Sequence, residues 1–277
     1  ALAMQDSKTI GLKPVICIAG PTASGKSGLA IDLAKAVDGE IINADALQVY
    51  RDIRILSARP DEEEKDSVSH HLFGHVDGKT LYSVGDWSRE AVPIILDVLA
   101  RGRVPILAGG TGLYFQALLE GLAEIPPVPD TLDAELSGWP IQKLRDTAEA
   151  LDPLATAKVL GDDPQRLARI VGVAKATGRP LSEWRAATRP IIPKGQTIRA
   201  VLLPDREALY ARINQRFEKM MEEGAVSEAR DVFAKIYPAR ASMPNAIGLS
   251  HLLSHLDSEC DLDIAIETAK RDTRRLA

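Results

Sequence analysis

The sequence predicts an α/β protein, a mainly parallel sheet flanked by helices, that carries a small all-helical insertion. Three observations point there. The apolar run Val15-Ile16-Cys17-Ile18-Ala19 leads through a glycine-rich turn into a helical pattern over residues 28–37. The same plan of strand, glycine turn and helix returns at residues 104–119. From residue 130 to about 190 only helical patterns occur, stopped at Pro140, Pro153, Pro164 and Pro180.

The first unit sets the chemistry. Gly20-Pro21-Thr22-Ala23-Ser24-Gly25-Lys26-Ser27 fits G-x-x-x-x-G-K-[ST], the phosphate-binding P-loop, between a buried strand and a helix. That context aims backbone N–H groups and the positive end of a helix dipole at a phosphate. Gly20, Thr22, Ala23, Ser24 and Gly25 form the turn, Lys26 supplies a point charge, and the Ser27 hydroxyl is a candidate ligand for Mg²⁺. The motif predicts that a di- or triphosphate binds; it does not say what is done with it.

Residues 40–43 read as a second strand that runs into Ala44-Asp45-Ala46-Leu47-Gln48. Ligands of open α/β sheets bind at the carboxyl ends of strands, so Asp45 is placed for catalysis. A helix N-cap and a Mg²⁺ ligand are competing uses of the same side chain. The acidic run 61–66 reads as a solvated helix. His70 and His71, adjacent on a strand, would face opposite ways and form no simple two-ligand metal site; a structural or substrate-side role for one of them is expected.

Residues 83–101 read as a helix whose apolar positions include Trp87, Ala91, Ile94, Ile95 and Val98. The strand at 104–108 ends in Gly109-Gly110-Thr111-Gly112, where Thr111 is a candidate phosphate donor, and a helix follows over 113–119. Ile125-Pro126-Pro127-Val128-Pro129 is stiff and helix-breaking. It divides the chain into a core of residues 1–124 and 191–277 and a helical insertion of residues 125–190. A strand returns at 197–203, with helices at 206–223, 226–236, 247–256 and from 264 onward. Arg212 and Arg216, four apart, share a helix face, so a phosphate-side role weighs equally with surface ion pairing.

The whole chain sets outer limits. Its 277 residues suit one large domain or two unequal ones. No apolar run is long enough to span a membrane and no signal pattern opens the chain, so a cytoplasmic protein is expected. Met4 is a candidate natural start, and the chain stops inside a predicted helix. Cys17 and Cys260 make neither a disulfide framework nor a metal spacing. The net charge of −5 argues against indiscriminate nucleic-acid binding. Yet residues 165–216 hold eleven basic residues against three acids, which suits one specific polyanion, or else an ordinary solvated surface.

Taken in order, these stretches resemble the tRNA dimethylallyltransferases, also called tRNA isopentenylpyrophosphate transferases. The matching pieces are GPTASGKS at 20–27, EIINADALQVYR at 40–51, HHLF at 70–73 and YSVGDW at 82–87. LAGGTGLYFQALLEGL follows at 107–122, DPQRLAR at 163–169, RINQRF at 212–217 and TRRLA at 273–277. The resemblance implies a P-loop NTPase-like core. It also implies transfer of a dimethylallyl group from dimethylallyl diphosphate to the exocyclic amine of the adenine just 3′ of the anticodon. The P-loop then holds the donor's diphosphate rather than ATP, with Lys26, Thr111, Arg216 and Mg²⁺ on Ser27 stabilising the leaving group. Asp45 becomes the general base. The stretches Asp45-Ala46-Leu47-Gln48 and Gln165-Arg166-Leu167-Ala168-Arg169 become tRNA contacts, together with Thr111, for an anticodon stem-loop whose target base is turned out of its stack. A monomer is expected.

The chain departs from that pattern at Asp133, where a basic residue is usual, and at Gly248-Leu249, where Gly-Tyr is common. It also ends before the usual Lys-Arg-Gln. Competing readings are an adenylate isopentenyltransferase acting on free AMP-type nucleotides, a P-loop small-molecule kinase, and a binding module that has lost its activity.

Overall fold

The computed structural model describes residues 13–237, 241 and 243–277; Met4 lies outside them. The chain divides into two compact units. One runs up to Leu119 and resumes over Ile191–Ala277; the other is Glu120–Pro190.

The larger unit is built on five parallel strands in the order β3-β2-β4-β1-β5. In chain order they are β1 (Val15–Ala19), β2 (Gly39–Asn43), β3 (His70–His71), β4 (Val104–Gly109) and β5 (Thr197–Val201). Helices α1 (Lys26–Val37), α2 (Glu62–Ser67), α3 (Val84–Ala100) and α4 (Gly112–Glu120) lie between them. A parallel strand covered on both faces reads as a continuous apolar run, which is why β1 and β4 stand out in the sequence. Side chains still alternate. Val15, Cys17, Ile42 and Leu107 pack with Trp87, Ala91 and Ile95 of α3 and Tyr114, Phe115 and Leu118 of α4. Ile16, Ile18, Ile41 and Ile106 pack the opposite way, against Ala30, Ile31 and Ala34 of α1.

The strand at 197–203 is shorter than expected. Leu202 N–H still reaches Ala19 O at 2.9 Å, but beyond Ala19 its partner has turned into the P-loop, and Leu203 is 81% exposed. The acidic run is the solvated helix α2, capped by Asp61 and Glu64 and burying no residue.

The smaller unit is helical: α5 (Asp130–Ser137), α6 (Ile141–Leu151), α7 (Pro153–Thr156), α8 (Pro164–Thr177) and α9 (Leu181–Ala186). Leu136, Leu144, Leu167, Ile170, Val171 and Leu181 form its core. Buried Asp152 caps α7 through Ala155 N–H and accepts Ser182 N–H at 2.8 Å, tying α7 to α9. The unit begins ahead of the proline-rich run. Gly121, at φ +92°, lies so close to the Arg189 backbone that a Cβ would meet Arg189 O at 2.2 Å, and Thr188 Oγ1 donates to Glu120 O.

After β5 come α10 (Arg206–Glu222), α11 (Ala225–Phe233), α12 (Leu249–Leu256) and α13 (Leu262–Leu276). They share a core with Val49, Tyr50, Ile53 and Leu56 from the loop after β2. Leu249 is fully buried in that core. Among the described residues no helix is long and apolar enough to cross a membrane.

The basic window of residues 165–216 is divided between the two units. Part of it lies on α8 and α9 of the helical unit and part on β5 and α10 of the other. Arg166 pairs with Asp163 and Arg179 with Glu183, both at 3.2 Å, so some of its charge is spent locally.

One buried carboxylate secures the far end of the sheet. Glu40 in β2 is 2% exposed, accepts from Arg101 Nη2 at 3.0 Å, pairs with Arg103, and meets His71 Nε2 of β3 at 2.7 Å. Thus His71 is structural. The hydrogen bonds from Arg101 hold the Glu40 carboxyl at about 2, against the opposing effect of burial and with His71 and Arg103 contributing. A depressed folded pKa gives stability that is present above the unfolded carboxylate range and lost as pH falls through the folded value. Glu40→Ala should therefore cost about 2–3 kcal/mol at neutral pH, at or below the usual value for breaking a buried pair because the arginines reach water. It should also flatten the acid limb of a pH-dependent urea titration between about pH 4.5 and about pH 2. An unchanged acid limb would remove Glu40 as its source.

Candidate active site

The carboxyl ends of β1, β2 and β4 converge on one cavity. At the end of β1 the chain turns through Gly20–Gly25, and α1 begins at Lys26 with Gly25 as its N-cap at φ +92°. Ala23 is held at φ +59°, a conformation an L-residue adopts at a cost of about 1–2 kcal/mol. Ser24 is buried and its hydroxyl has no partner among the described residues. Lys26 Nζ folds back to donate to Pro21 O at 2.8 Å. Arg216 of α10 reaches across 194 residues of sequence to donate to Thr22 Oγ1 at 3.1 Å. The turn is thus drawn tight around donors rather than acceptors.

Asp45 follows β2 in a loop fastened from three sides. Asn43 Oδ1 accepts Asp45 N–H at 2.9 Å, while Asn43 Nδ2 donates to Asp45 O and to Leu72 O. The Trp87 indole donates to Asn43 O at 2.7 Å. Thr111, after β4, accepts Ala46 N–H at 2.9 Å, and its own N–H meets Ala44 O at 3.2 Å. The two loops approach so closely that a Cβ on Gly109 would stand 2.0 Å from Ala44 O; no other residue fits. Asp45 Oδ1 accepts Leu47 N–H at 2.9 Å and lies 3.4 Å from Gln48 N–H. Its Oδ2 makes no hydrogen bond among the described residues. One carboxylate oxygen is fixed and the other is available.

The cavity, of ≈ 190 Å³, has a lining of two kinds. Thr22, Lys26, Ser27, Asp45 and Arg216 bring charge and hydroxyls to it, with Gln48, Ser57, His70 and Thr273 as further polar residues. Leu56, Pro60, Phe73, Ile213, Phe217, Met220 and Ile247 bring apolar surface. Burial pushes the Lys26 ammonium below the ordinary lysine range; Asp45 opposes this and Arg216 adds to it. Burial likewise lowers Arg216, against Asp45. Two desolvated cations thus share a single carboxylate, leaving positive charge that an anion would satisfy. His70 Nδ1 donates to Val68 O at 2.9 Å; burial favours its neutral form, so Nε2 is an acceptor in the cavity wall.

Of the residues singled out from the sequence, Thr22, Lys26, Ser27, Asp45, Leu47, Gln48 and Arg216 line this cavity. Gly20, Ala23, Ser24 and Gly25 shape the turn beside it. Thr111 does not line it; its oxygen holds Ala46, so it acts on the Asp45 loop. Gln48 Nε2 is committed to Ser57 O and Ala58 O. Arg212 is exposed and absent from the lining, unlike Arg216. On α8, Gln165, Arg166 and Arg169 are exposed and Ala168 partly so. Leu167, expected to contact tRNA, is fully buried in the helical core, where its side chain supports the helix instead. Sequence reasoning missed Asn43, whose only signal was its place two residues before Asp45. It also missed the apolar wall of α10, legible as Ile213, Arg216, Phe217 and Met220 at helical spacing.

Comparison with known proteins agrees with this geometry. Residues 48–277 match the family model described as IPP transferase, and residues 13–73 match one described as isopentenyl transferase. The tRNA dimethylallyltransferase of Azorhizobium caulinodans is 44% identical over 282 residues, covering 100% of this chain and 90% of that protein. That of Maricaulis maris is 44% identical over 270 residues, covering 96% and 88%. A eukaryotic dimethylallyltransferase whose crystal structures show it acting on tRNA superposes with a TM-score of 0.81 at 29% identity, covering 96% of this chain and 68% of that one. The full-length tRNA isopentenylpyrophosphate transferase of Bacillus halodurans gives 0.66 at 32% identity, covering 95% and 84%. The chain belongs to the IPP transferase family, and its core is a P-loop NTPase-like fold.

The lowered Lys26 pKa has a measurable consequence. Only the protonated amine attracts an anion, so affinity for inorganic diphosphate should decline as pH rises, beginning below the ordinary lysine range. Calorimetric titrations from about pH 7 to about pH 10, with Lys26→Met as the control that lacks the decline, measure this. Identical pH profiles for the two proteins would take Lys26 out of the anion site.

Proposed function

We propose that this chain transfers a dimethylallyl group from dimethylallyl diphosphate to the N6 amine of the adenine 3′-adjacent to the anticodon in tRNA. The products are N6-isopentenyladenine and diphosphate. The observation that carries the reading is the cavity's mixed lining: cations and a P-loop turn together with hydrocarbon side chains in one cavity. A prenyl diphosphate combines the same two chemistries. A P-loop recognises phosphate and not the nucleoside behind it, so the motif is as well suited to this donor as to ATP.

The turn residues, Lys26 and Arg216 bind the diphosphate. As the C–O bond breaks, negative charge grows on the leaving diphosphate, where these groups already point and need no reorganisation. The carbon left behind has cation character and sits against an apolar wall that excludes water. The adenine amine attacks it, the C–N bond forms, and the amine proton passes to Asp45 Oδ2, the oxygen free of hydrogen bonds. Asn43 and Thr111 position Asp45 for that transfer by fixing its backbone.

Mg²⁺ fits this site in one way only. Among the described residues no cluster of three or more His, Cys, Asp or Glu could cage a metal. Ser27 lines the cavity with a hydroxyl that makes no hydrogen bond among those residues, and Mg²⁺ characteristically takes few protein ligands and completes its shell with phosphate oxygens and water. On Ser27 it would supply Lewis-acid stabilisation of the diphosphate.

For tRNA we assign Gln165, Arg166 and Arg169, exposed along α8, and the Asp45–Gln48 loop at the cavity, where an extruded base would enter. We assign a monomer as the working unit, acting in the cytoplasm where tRNA is met.

Labelled dimethylallyl diphosphate offered with unmodified tRNA or with AMP tests the reaction. Label in tRNA alone is expected; label in AMP, or ATP hydrolysis without transfer, would overturn it. Asp45→Ala should keep diphosphate binding and lose about a hundredfold or more in turnover; normal turnover would exclude Asp45 as the base. Replacing Arg166 and Arg169 together with Ala should weaken tRNA binding and lower the salt slope by about 2. An unchanged slope would return both arginines to the solvated surface.

A further inference from the structure

We propose that Met220 sets the length of hydrocarbon the cavity accepts and so restricts the donor to a five-carbon chain. This rests on the function proposed above. Along α10, Ile213, Arg216, Phe217 and Met220 all line the cavity, as residues spaced i, i+3, i+4 and i+7 share one face. Arg216 fixes the polar register, because its guanidinium is tied to Thr22 of the P-loop turn at 3.1 Å. Met220 lies one helical turn beyond it, about 6 Å along the axis. A five-carbon chain extended from its diphosphate oxygen spans about 5–6 Å by ordinary bond lengths, so its terminal methyls arrive at Met220. A ten-carbon chain would need the volume that Met220 occupies.

The neighbours of Met220 make it the adjustable member of this face. Phe217 is locked: a Cβ on Gly248 would stand 3.2 Å from its ring, and Gly248 sits at φ +92° to leave room for it. Met220 is 8% exposed in a cluster with Leu249, Leu252 and the small side chains of Ala225, Ala229, Ala265 and Ala269. The unbranched thioether is the most adaptable side chain of this face and closes on a short chain, while the volume of its sulfur and terminal methyl stands where a longer chain would run.

The test measures transfer to one anticodon stem-loop RNA from dimethylallyl diphosphate and from geranyl diphosphate, by the wild type, Met220→Leu and Met220→Ala. Wild type and the volume-conserving Met220→Leu should prefer the five-carbon donor by roughly a hundredfold in kcat/KM. Met220→Ala should narrow that ratio about tenfold or more, with ten-carbon transfer rising in absolute terms and five-carbon transfer falling a few-fold. Should Met220→Ala not fold, Met220→Val makes the same comparison with a smaller change in volume. An unchanged ratio with five-carbon transfer still measurable would overturn the assignment of Met220, as would a wild type that accepts both donors equally. Absence of five-carbon transfer by the wild type would overturn the proposed function itself, and Met220's role with it.

Discussion

Lys26 and Arg216 stand in a desolvated corner with one carboxylate, Asp45, between them. That imbalance governs the rest of the site. A buried cation is costly unless it is paired, and here two cations share one negative charge. The protein makes provisional contacts in compensation: Lys26 folds back onto Pro21 O and Arg216 holds Thr22 Oγ1. Both partners are neutral acceptors, which an anionic phosphate outcompetes.

Position is the second demand, and it is met by backbone rather than by side-chain reach. Asp45 is not held at the end of a flexible loop. Asn43 bonds both ends of the Asp45 peptide unit, Trp87 anchors Asn43, and Thr111 grips Ala46. Gly109 permits the approach by having no Cβ. Each of these contacts is an ordinary hydrogen bond, contributing about 1 kcal/mol. Together they fix the Asp45 backbone, and with Leu47 N–H on Oδ1 they leave Oδ2 without a hydrogen bond among the described residues, the preorganisation the proposed general base requires.

Fold and P-loop were legible because local rules carry them. Strands buried on both faces are written as apolar runs, and the phosphate turn is written as a spacing of glycines and a lysine. The cavity's apolar wall was harder to read. It joins the segment at 47–60 to α10 and to residues near the chain's end, and no periodicity encodes a contact across some 170 residues, such as that of Glu228 with Arg54 N–H. Arg216 and Arg212 looked equivalent in sequence; only the packing of α10, with Phe217 and Ile213 buried, turns one inward and leaves the other in solvent. Leu167 shows a complementary point. A stretch matched as a unit contains both surface and core positions, and a helix assigns them by angle, not by membership in a motif.

For the proposed tRNA substrate, an acidic protein must concentrate its positive charge where RNA lies. On the helical unit the charges fall into two kinds. Arg166 is tied to Asp163, but the pair is largely exposed, and such pairs contribute about 0–1 kcal/mol. Arg169, Lys175, Arg185 and Arg189 carry no ion pair among the described residues. The weak pairs cost little to exchange for a phosphate, and the unpaired cations need no exchange. Counterion release then supplies affinity without a strongly basic surface, while the net charge of −5 disfavours polyanions that do not also present a base to the cavity.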